Sequence, residues 1–199
     1  MTVGPDIGDQ VDTEPTLRRD ARANLEKLLA AAVVAVHRDG TQIPMAAIAA
    51  EAGVGVATLY RRFATREALL DALTERSFEL VLSNARQAES HDGSGLSCLG
   101  VFLDTAIRQR NELLLPLHGG PGLNTALSRR LQSEVHGVLQ GIIERGRADG
   151  SVRADATPFD VVMFGALLAQ PMPVRTRWDA TCRRLKDIYL DGLMNDDRR

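Results

Sequence analysis

Between Val56 and Arg62 the chain gathers side chains that bind rather than make or break bonds: the Thr58 hydroxyl, the guanidiniums of Arg61 and Arg62, and the short apolar groups of Val56 and Ala57. Hydroxyls and guanidiniums at this density suit hydrogen bonds to phosphate oxygens and base edges, and the methyls of Val56, Ala57 and Thr58 suit the thymine C5-methyl. One arginine reading a guanine through two hydrogen bonds is worth about 1–3 kcal/mol of discrimination. Arg61 and Arg62 both have that reach. One is expected on a base and the other on phosphate, and the sequence leaves open which is which.

Two short helical patterns around a tight break must hold these groups. Over Pro44–Phe63, Met45, Ile48, Ala49 and Ala52 recur at helical spacing, then Val56, Leu59, Tyr60 and Phe63 do so again. Pro44 suits a first helical turn. Gly53 suits the left-handed end of the first helix, and Gly55 sits where the second begins. The pattern reads as a helix-turn-helix, with Leu59 and Phe63 in its core. A short helix pair needs a third element to pack on. The stripe Leu25, Leu28, Leu29, Ala32, Val33 and Val36 predicts one over about 20–38, closed by Asp39-Gly40.

The stretch resembles the DNA-binding motif of the TetR family of bacterial repressors. The resemblance is carried by Ile48-Ala49-Ala50-Glu51-Ala52-Gly53-Val54, by Thr58-Leu59-Tyr60-Arg61-Arg62-Phe63, and by Thr65-Arg66-Glu67-Ala68-Leu69-Leu70, and it runs over about Arg22 to Leu73. It implies an all-α protein: an N-terminal three-helix helix-turn-helix DNA-binding domain, here 18–66, and a C-terminal helical ligand-binding and dimerisation domain, here 67–195. It further implies DNA contacts by Arg22, Pro44, Gly55, Val56, Ala57, Thr58, Tyr60, Arg61, Arg62 and Arg66. Two readings stand for Tyr60: a phosphate contact through its hydroxyl, or a ring that staples the motif to the core. Arg18, Arg19 and Arg22 likewise read either as phosphate or minor-groove contacts or as a solvated basic turn. The family usually places Thr or Ser where this chain has Pro44 and Gly55. Both motif helices therefore lose a side-chain cap, and with it a phosphate hydrogen bond. The capping loss for Gly in place of Ser is only a few tenths of a kcal/mol, and backbone N–H groups at the helix starts can still meet phosphate.

Composition agrees with such a molecule. Only 4% of the 199 residues are aromatic, so a core must come from Ala, Leu and Val, which favours helix. The net charge of −2 is unevenly spread: residues 1–14 carry −4, residues 15–66 carry +4 and the remainder −2. A basic segment beside acidic surroundings suits a nucleic-acid reader joined to a separate regulatory body. Residues 1–17, rich in Gly, Pro, Asp and Thr, read as a disordered arm. Cys98 and Cys182 lack metal-ligand spacing and read as buried thiols in a reducing compartment. No apolar run approaches the ~20 residues of a membrane span, and the acidic start lacks the apolar core of a secretory signal. No membrane partner and a cytoplasmic location are expected.

In the body, Thr65 caps a long helix to about Glu89, with Leu69, Leu70, Leu73, Phe78, Leu80, Val81 and Leu82 buried. Residues 90–97 read as a loop, and 99–117 as a helix interruptible at Asn111. Further helices are expected over Thr125–Ala148, Phe159–Gln170 and Trp178–Met194, the last with Leu185, Ile188, Tyr189, Leu190 and Leu193 inward. Phe159–Gln170 is apolar on all sides and must be covered on all sides. With the family's pseudo-palindromic operators on double-stranded DNA, this implies a homodimer built from the last two helices. The resemblance also implies a pocket for an unknown small-molecule effector, with Phe102, His118, Met163, Phe164 and Trp178 as lining candidates. No cofactor and no metal are expected. Two rival readings stand beside this one. His118-Gly119-Gly120-Pro121-Gly122 looks like an oxyanion-hole turn of a hydrolase, but no G-x-S-x-G elbow or strand accompanies it, so no catalysis is expected. The other rival is a helical partner-binding module with weak DNA affinity.

Overall fold

The computed structural model describes residues 13–170 and 177–195, which form eight α-helices, two short 3₁₀ turns and no strand among the described residues. The helices are α1 (Thr13–Asp39), α2 (Met45–Glu51), α3 (Val56–Arg62), α4 (Arg66–Glu89), α5 (Gly95–Arg108), α6 (Ala126–Ala148), α7 (Pro158–Leu168) and α8 (Trp178–Leu193). The expected disordered arm lies outside the described residues as far as residue 12, but from Thr13 the chain is already helical.

Two apolar cores organise these helices. The N-terminal core holds the α1 stripe (Leu28, Leu29, Ala32, Val33, Val36), Met45, Ile48 and Ala49 of α2, Leu59 of α3, Phe63, and Leu69, Leu70 and Leu73 of α4. The larger core holds Phe78, Leu82, Ala85 and Ala88 of α4 with the inward faces of α5, α6 and α7. Helix α4 therefore runs through both. Its 24 residues span about 36 Å at 1.5 Å per residue. Thr65 caps it, the hydroxyl accepting from Ala68 N at 3.1 Å, and Glu67 sits in the first turn. Leu80 and Val81, expected to be buried, are only half-buried.

The sequence reading misplaced both ends of α5. Ser94, inside the expected loop, caps the helix by accepting from Ser97 N at 3.2 Å. At the other end the helix stops at Arg108, and residues 113–115 are extended rather than helical. Close approach of backbones lets α5 start where it does. Gly95 lies against the Gly146 backbone of α6, and its N–H donates to Asp149 Oδ2 at 2.8 Å. Leu96 N–H donates to Ser151 Oγ at 3.2 Å. Residues just after α6 thus satisfy the open N–H groups at the start of α5.

Helix α7 is closed at its start by a capping box between Thr157 and Asp160, with Pro158 in the first turn. Its coverage is incomplete within one chain: Phe159 is 60% and Leu167 52% exposed. In α8 the structure corrects the expected inward face. Leu193 is buried and Tyr189 and Leu190 are half-buried, but Leu185 and Ile188 are exposed. Cys98 and Cys182 are both buried and form no disulfide. Burial pushes the Cys182 thiol above its ordinary range, as suits a small apolar group.

A Cβ at Gly95 would overlap the Gly146 backbone and come within 2.7 Å of the Ile142 carbonyl oxygen. Gly95→Ala is expected to lower stability by about 1–3 kcal/mol through overpacking. Urea unfolding followed by circular dichroism measures this, and a variant as stable as the parent would refute the close crossing.

Candidate nucleic-acid interface and internal cavity

The helix-turn-helix is built as its residue types require. Pro44 and Gly55 are the N-cap residues of α2 and α3, both with extended backbone and neither with a side-chain cap. Pro44 therefore stands one position before the first turn in which its ring was expected. The turn is made by Gly53 at φ +65°, a left-handed conformation costly for any residue with a Cβ.

Of the seven residues in α3, only Leu59 is buried. Val56, Ala57, Thr58, Arg61 and Arg62 are exposed, and Tyr60 is 48% exposed. Val56 and Tyr60 are thus not members of the buried core. Thr58, Arg61 and Arg62 meet Asn24, Leu25 and Leu28 of α1 and Val54 along one groove. Asn24 was not among the expected site residues; on sequence it is one more polar residue on a helix. The side chain of Arg22 lies outside the described residues.

The basic charge of the module is not all available to an anion. Arg38 bonds Asp39 at 2.9 Å and Glu51 at 2.8 Å, and these carboxylates hold its guanidinium above the ordinary arginine range. Arg66 is partly buried, donates to Gln42 Oε1 at 3.1 Å, and keeps a buried Nε without a partner among the described residues. Arg61 and Arg62 make no ion pair among the described residues, and so form the open positive charge beside the motif.

A second feature lies in the body. A cavity of about 140 Å³ opens between α4, α5, α6 and α7, with Phe102 and Met163 in its wall as expected. The other lining candidates fall differently. Phe164 stacks on Tyr189 with ring centroids 3.9 Å apart and planes 12° apart, outside the cavity. Burial pushes the Tyr189 phenol up to about 12. Trp178 packs with Ile107, Leu168 and Cys182. The side chain of His118 lies outside the described residues. Two polar wall residues were missed, Gln132 and His136 of α6. Their spacing of four puts both on one helix face, but the same spacing is common on exposed helices.

The extended segment 113–115 lies between cavity and motif. Leu113 and Leu115 line the cavity, while Leu114 is 1% exposed within the N-terminal core. Successive side chains of an extended chain point to opposite sides, so three residues reach both places. The segment is tied to α1 and to the middle of α4: His37 Nε2–H donates to the Leu113 carbonyl at 3.0 Å, and Leu114 N–H donates to Ser77 Oγ at 2.8 Å. Arg76 adds a third tie, bonding Glu26 of α1 at 3.0 Å and the Glu112 carbonyl at 3.2 Å.

The suspected oxyanion turn has its N–H groups engaged. Gly119 N–H donates to the Pro116 carbonyl at 3.2 Å and Gly120 N–H to the Leu115 carbonyl at 3.1 Å. No helix among the described residues is long and apolar enough to cross a membrane.

These features define an all-helical, DNA-binding regulator: a helix-turn-helix module on a helical body with an internal cavity. Residues 28–73 match the model of the bacterial regulatory proteins of the tetR family. This segment of the chain is thus a DNA-binding domain of the tetR type. No curated protein matches it by sequence. Among solved structures it is similar to the TetR regulator SCO0520 of Streptomyces coelicolor, at 27% identity, TM-score 0.58, 85% of this chain and 98% of that one. It shares its fold with the regulator PfmR of Thermus thermophilus, at 17% identity, TM-score 0.66, 84% and 99% coverage. It shares it also with FadR of Bacillus subtilis, solved with stearoyl-CoA, at 15% identity, TM-score 0.65, 84% and 98% coverage.

A Cβ at Gly53 meets nothing within 4 Å, so a substitution there is strained through the backbone alone. Gly53→Ala should cost about 1–2 kcal/mol, the ordinary penalty for a left-handed non-glycine residue. The shift in thermal midpoint reads this directly, and no shift would mean the turn is made otherwise.

Proposed function

We propose that the chain is a homodimeric repressor that holds a pseudo-palindromic operator and is released from it by a small molecule in the cavity. The observation that carries this reading is the placement of residues 113–115: Leu113 and Leu115 wall the cavity while Leu114 fills the core beneath the motif. A molecule pressing on Leu113 and Leu115 moves Leu114 with it, and acts on α1 through His37 and on the middle of α4 through Ser77. Release then requires the molecule to bind more tightly to the arrangement that fits DNA less well.

In this reading α3 enters the major groove, with Val56, Ala57 and Thr58 toward base edges and Arg61 or Arg62 on a guanine. Tyr60, Arg66, Arg22 and the chain around Pro44 and Gly55 serve the phosphate backbone, with Asn24 a further candidate. The dimer joins the α7 and α8 faces that carry Phe159, Leu167, Leu185 and Ile188, all exposed in one chain. Two-fold symmetry then sets two copies of α3 against half-sites about one helical turn apart. The family's regulators generally act without catalysis, and the engaged N–H groups of Gly119 and Gly120 agree with that.

Three measurements test this reading. Selection of random duplexes by the purified protein should enrich an inverted repeat; enrichment of no motif would sink the operator assignment. Arg62→Ala and Tyr60→Phe should each weaken binding to the selected duplex. Arg62→Ala should also flatten the salt dependence by about one phosphate contact, with dimer content by sedimentation unchanged in both. Leu114→Ala should cost about 2–5 kcal/mol of stability and bring operator affinities with and without effector closer together. An unchanged ratio would place the coupling elsewhere.

A further inference from the structure

We propose that the cavity takes a compact, uncharged, monocyclic molecule bearing one hydroxyl, of the phenol type. The inference rests on the reading of this cavity as the effector site. Size comes first. The space is about 140 Å³, close to the ~150 Å³ apolar cavity that holds one benzene ring and well short of the ~300–1,000 Å³ of pockets for drug-sized ligands. Shape and polarity follow. The wall is apolar, with the rings of Phe78 and Phe102 and the thioether of Met163, a surface that favours a flat ring through edge-to-face and sulfur–aromatic contacts.

Charge narrows the class further. Among the described residues no Asp, Glu, Lys or Arg lines the cavity, so a cationic or a phosphorylated ligand would lie there without a charged partner from them. Among the described residues, Gln132 and His136 are the polar side chains of the wall, and no hydrogen bond ties either to another side chain. They stand one turn apart on α6. Between them they offer a donor and an acceptor, which a single hydroxyl, itself both donor and acceptor, satisfies. The stearoyl-CoA bound by the Bacillus subtilis regulator, a long chain on a phosphorylated head, is the opposite kind of ligand.

The test is calorimetric titration of the full-length protein with four probes: para-cresol, toluene, stearoyl-CoA and benzyltrimethylammonium. Para-cresol should bind, and about tenfold more tightly than toluene, the worth of a good hydrogen bond. Stearoyl-CoA and the ammonium should not compete with it. Gln132→Leu and His136→Leu should bring para-cresol toward the toluene affinity while leaving toluene binding intact, and Ala106→Leu, which fills the space, should weaken both. The proposal is overturned if para-cresol and toluene bind alike, if either charged probe binds more tightly, or if no probe binds. Retention of the selected duplex is measured separately on the unaltered protein. Para-cresol binding that leaves the duplex in place would remove the effector reading and keep the ligand class. A protein that binds para-cresol but selects no duplex would fail as a regulator without touching the cavity chemistry.

Discussion

Leu114 is buried in a core to which its own neighbours do not belong. Leu113 and Leu115 face the body and Leu114 faces the motif, because an extended backbone sends alternate side chains to opposite sides. Filling one side chain into a close-packed core fixes that core's position relative to the segment, since interiors tolerate little change in volume. The His37 and Ser77 hydrogen bonds hold the two ends of one peptide group, the one that joins Leu113 to Leu114. Two packed units share α4 and this segment, so the core that seats α3 and the wall of the cavity have one run of leucines in common.

The motif is economical. A seven-residue helix with one buried side chain cannot hold itself in water, and Leu59 is the anchor that seats it on α1 and α2. With the cost of folding met by that core, the remaining six residues of α3 point outward. Neither motif helix uses a side-chain cap, so Gly53 and the packing of Ile48, Ala49 and Leu59 carry the geometry that hydroxyl caps would otherwise share. The ion pairs of Arg38 with Asp39 and Glu51 also matter here. They neutralise a charge that composition alone would assign to DNA, and leave Arg61 and Arg62 to face an anion.

Exposed apolar residues on α7 and α8 contrast with the tidy burial of α5. Helix α5 is enclosed by α4, α6, α7 and α8 and exposes little apolar surface, whereas Phe159, Leu167, Leu185 and Ile188 remain outside. These large apolar side chains are the surface that the proposed dimer would cover. The stacked pair of Phe164 and Tyr189 ties the two helices to each other.

Much of this was legible in the residues alone. The α1 stripe, the Gly53 turn, the Thr65 cap and the burial of Leu59 follow from spacing and local hydrogen-bonding chemistry, which act within a few residues. The failures are equally physical. Residues 113–115 read as the tail of a helix because composition cannot tell a buried extended run from a helical one. Leu185 and Ile188 read as core because a stripe says that a face is apolar, not which partner covers it. Phe164 and Trp178 read as pocket wall, yet one stacks on Tyr189 and the other packs on Cys182. Local sequence determined which segments are helices and which side of the motif is outward. Only the packing of distant helices decided where a cavity is left, that Gln132 and His136 face it, and that one leucine belongs to the other core. Those outcomes depend on volumes brought together from across the chain, and no window of neighbouring residues contains them.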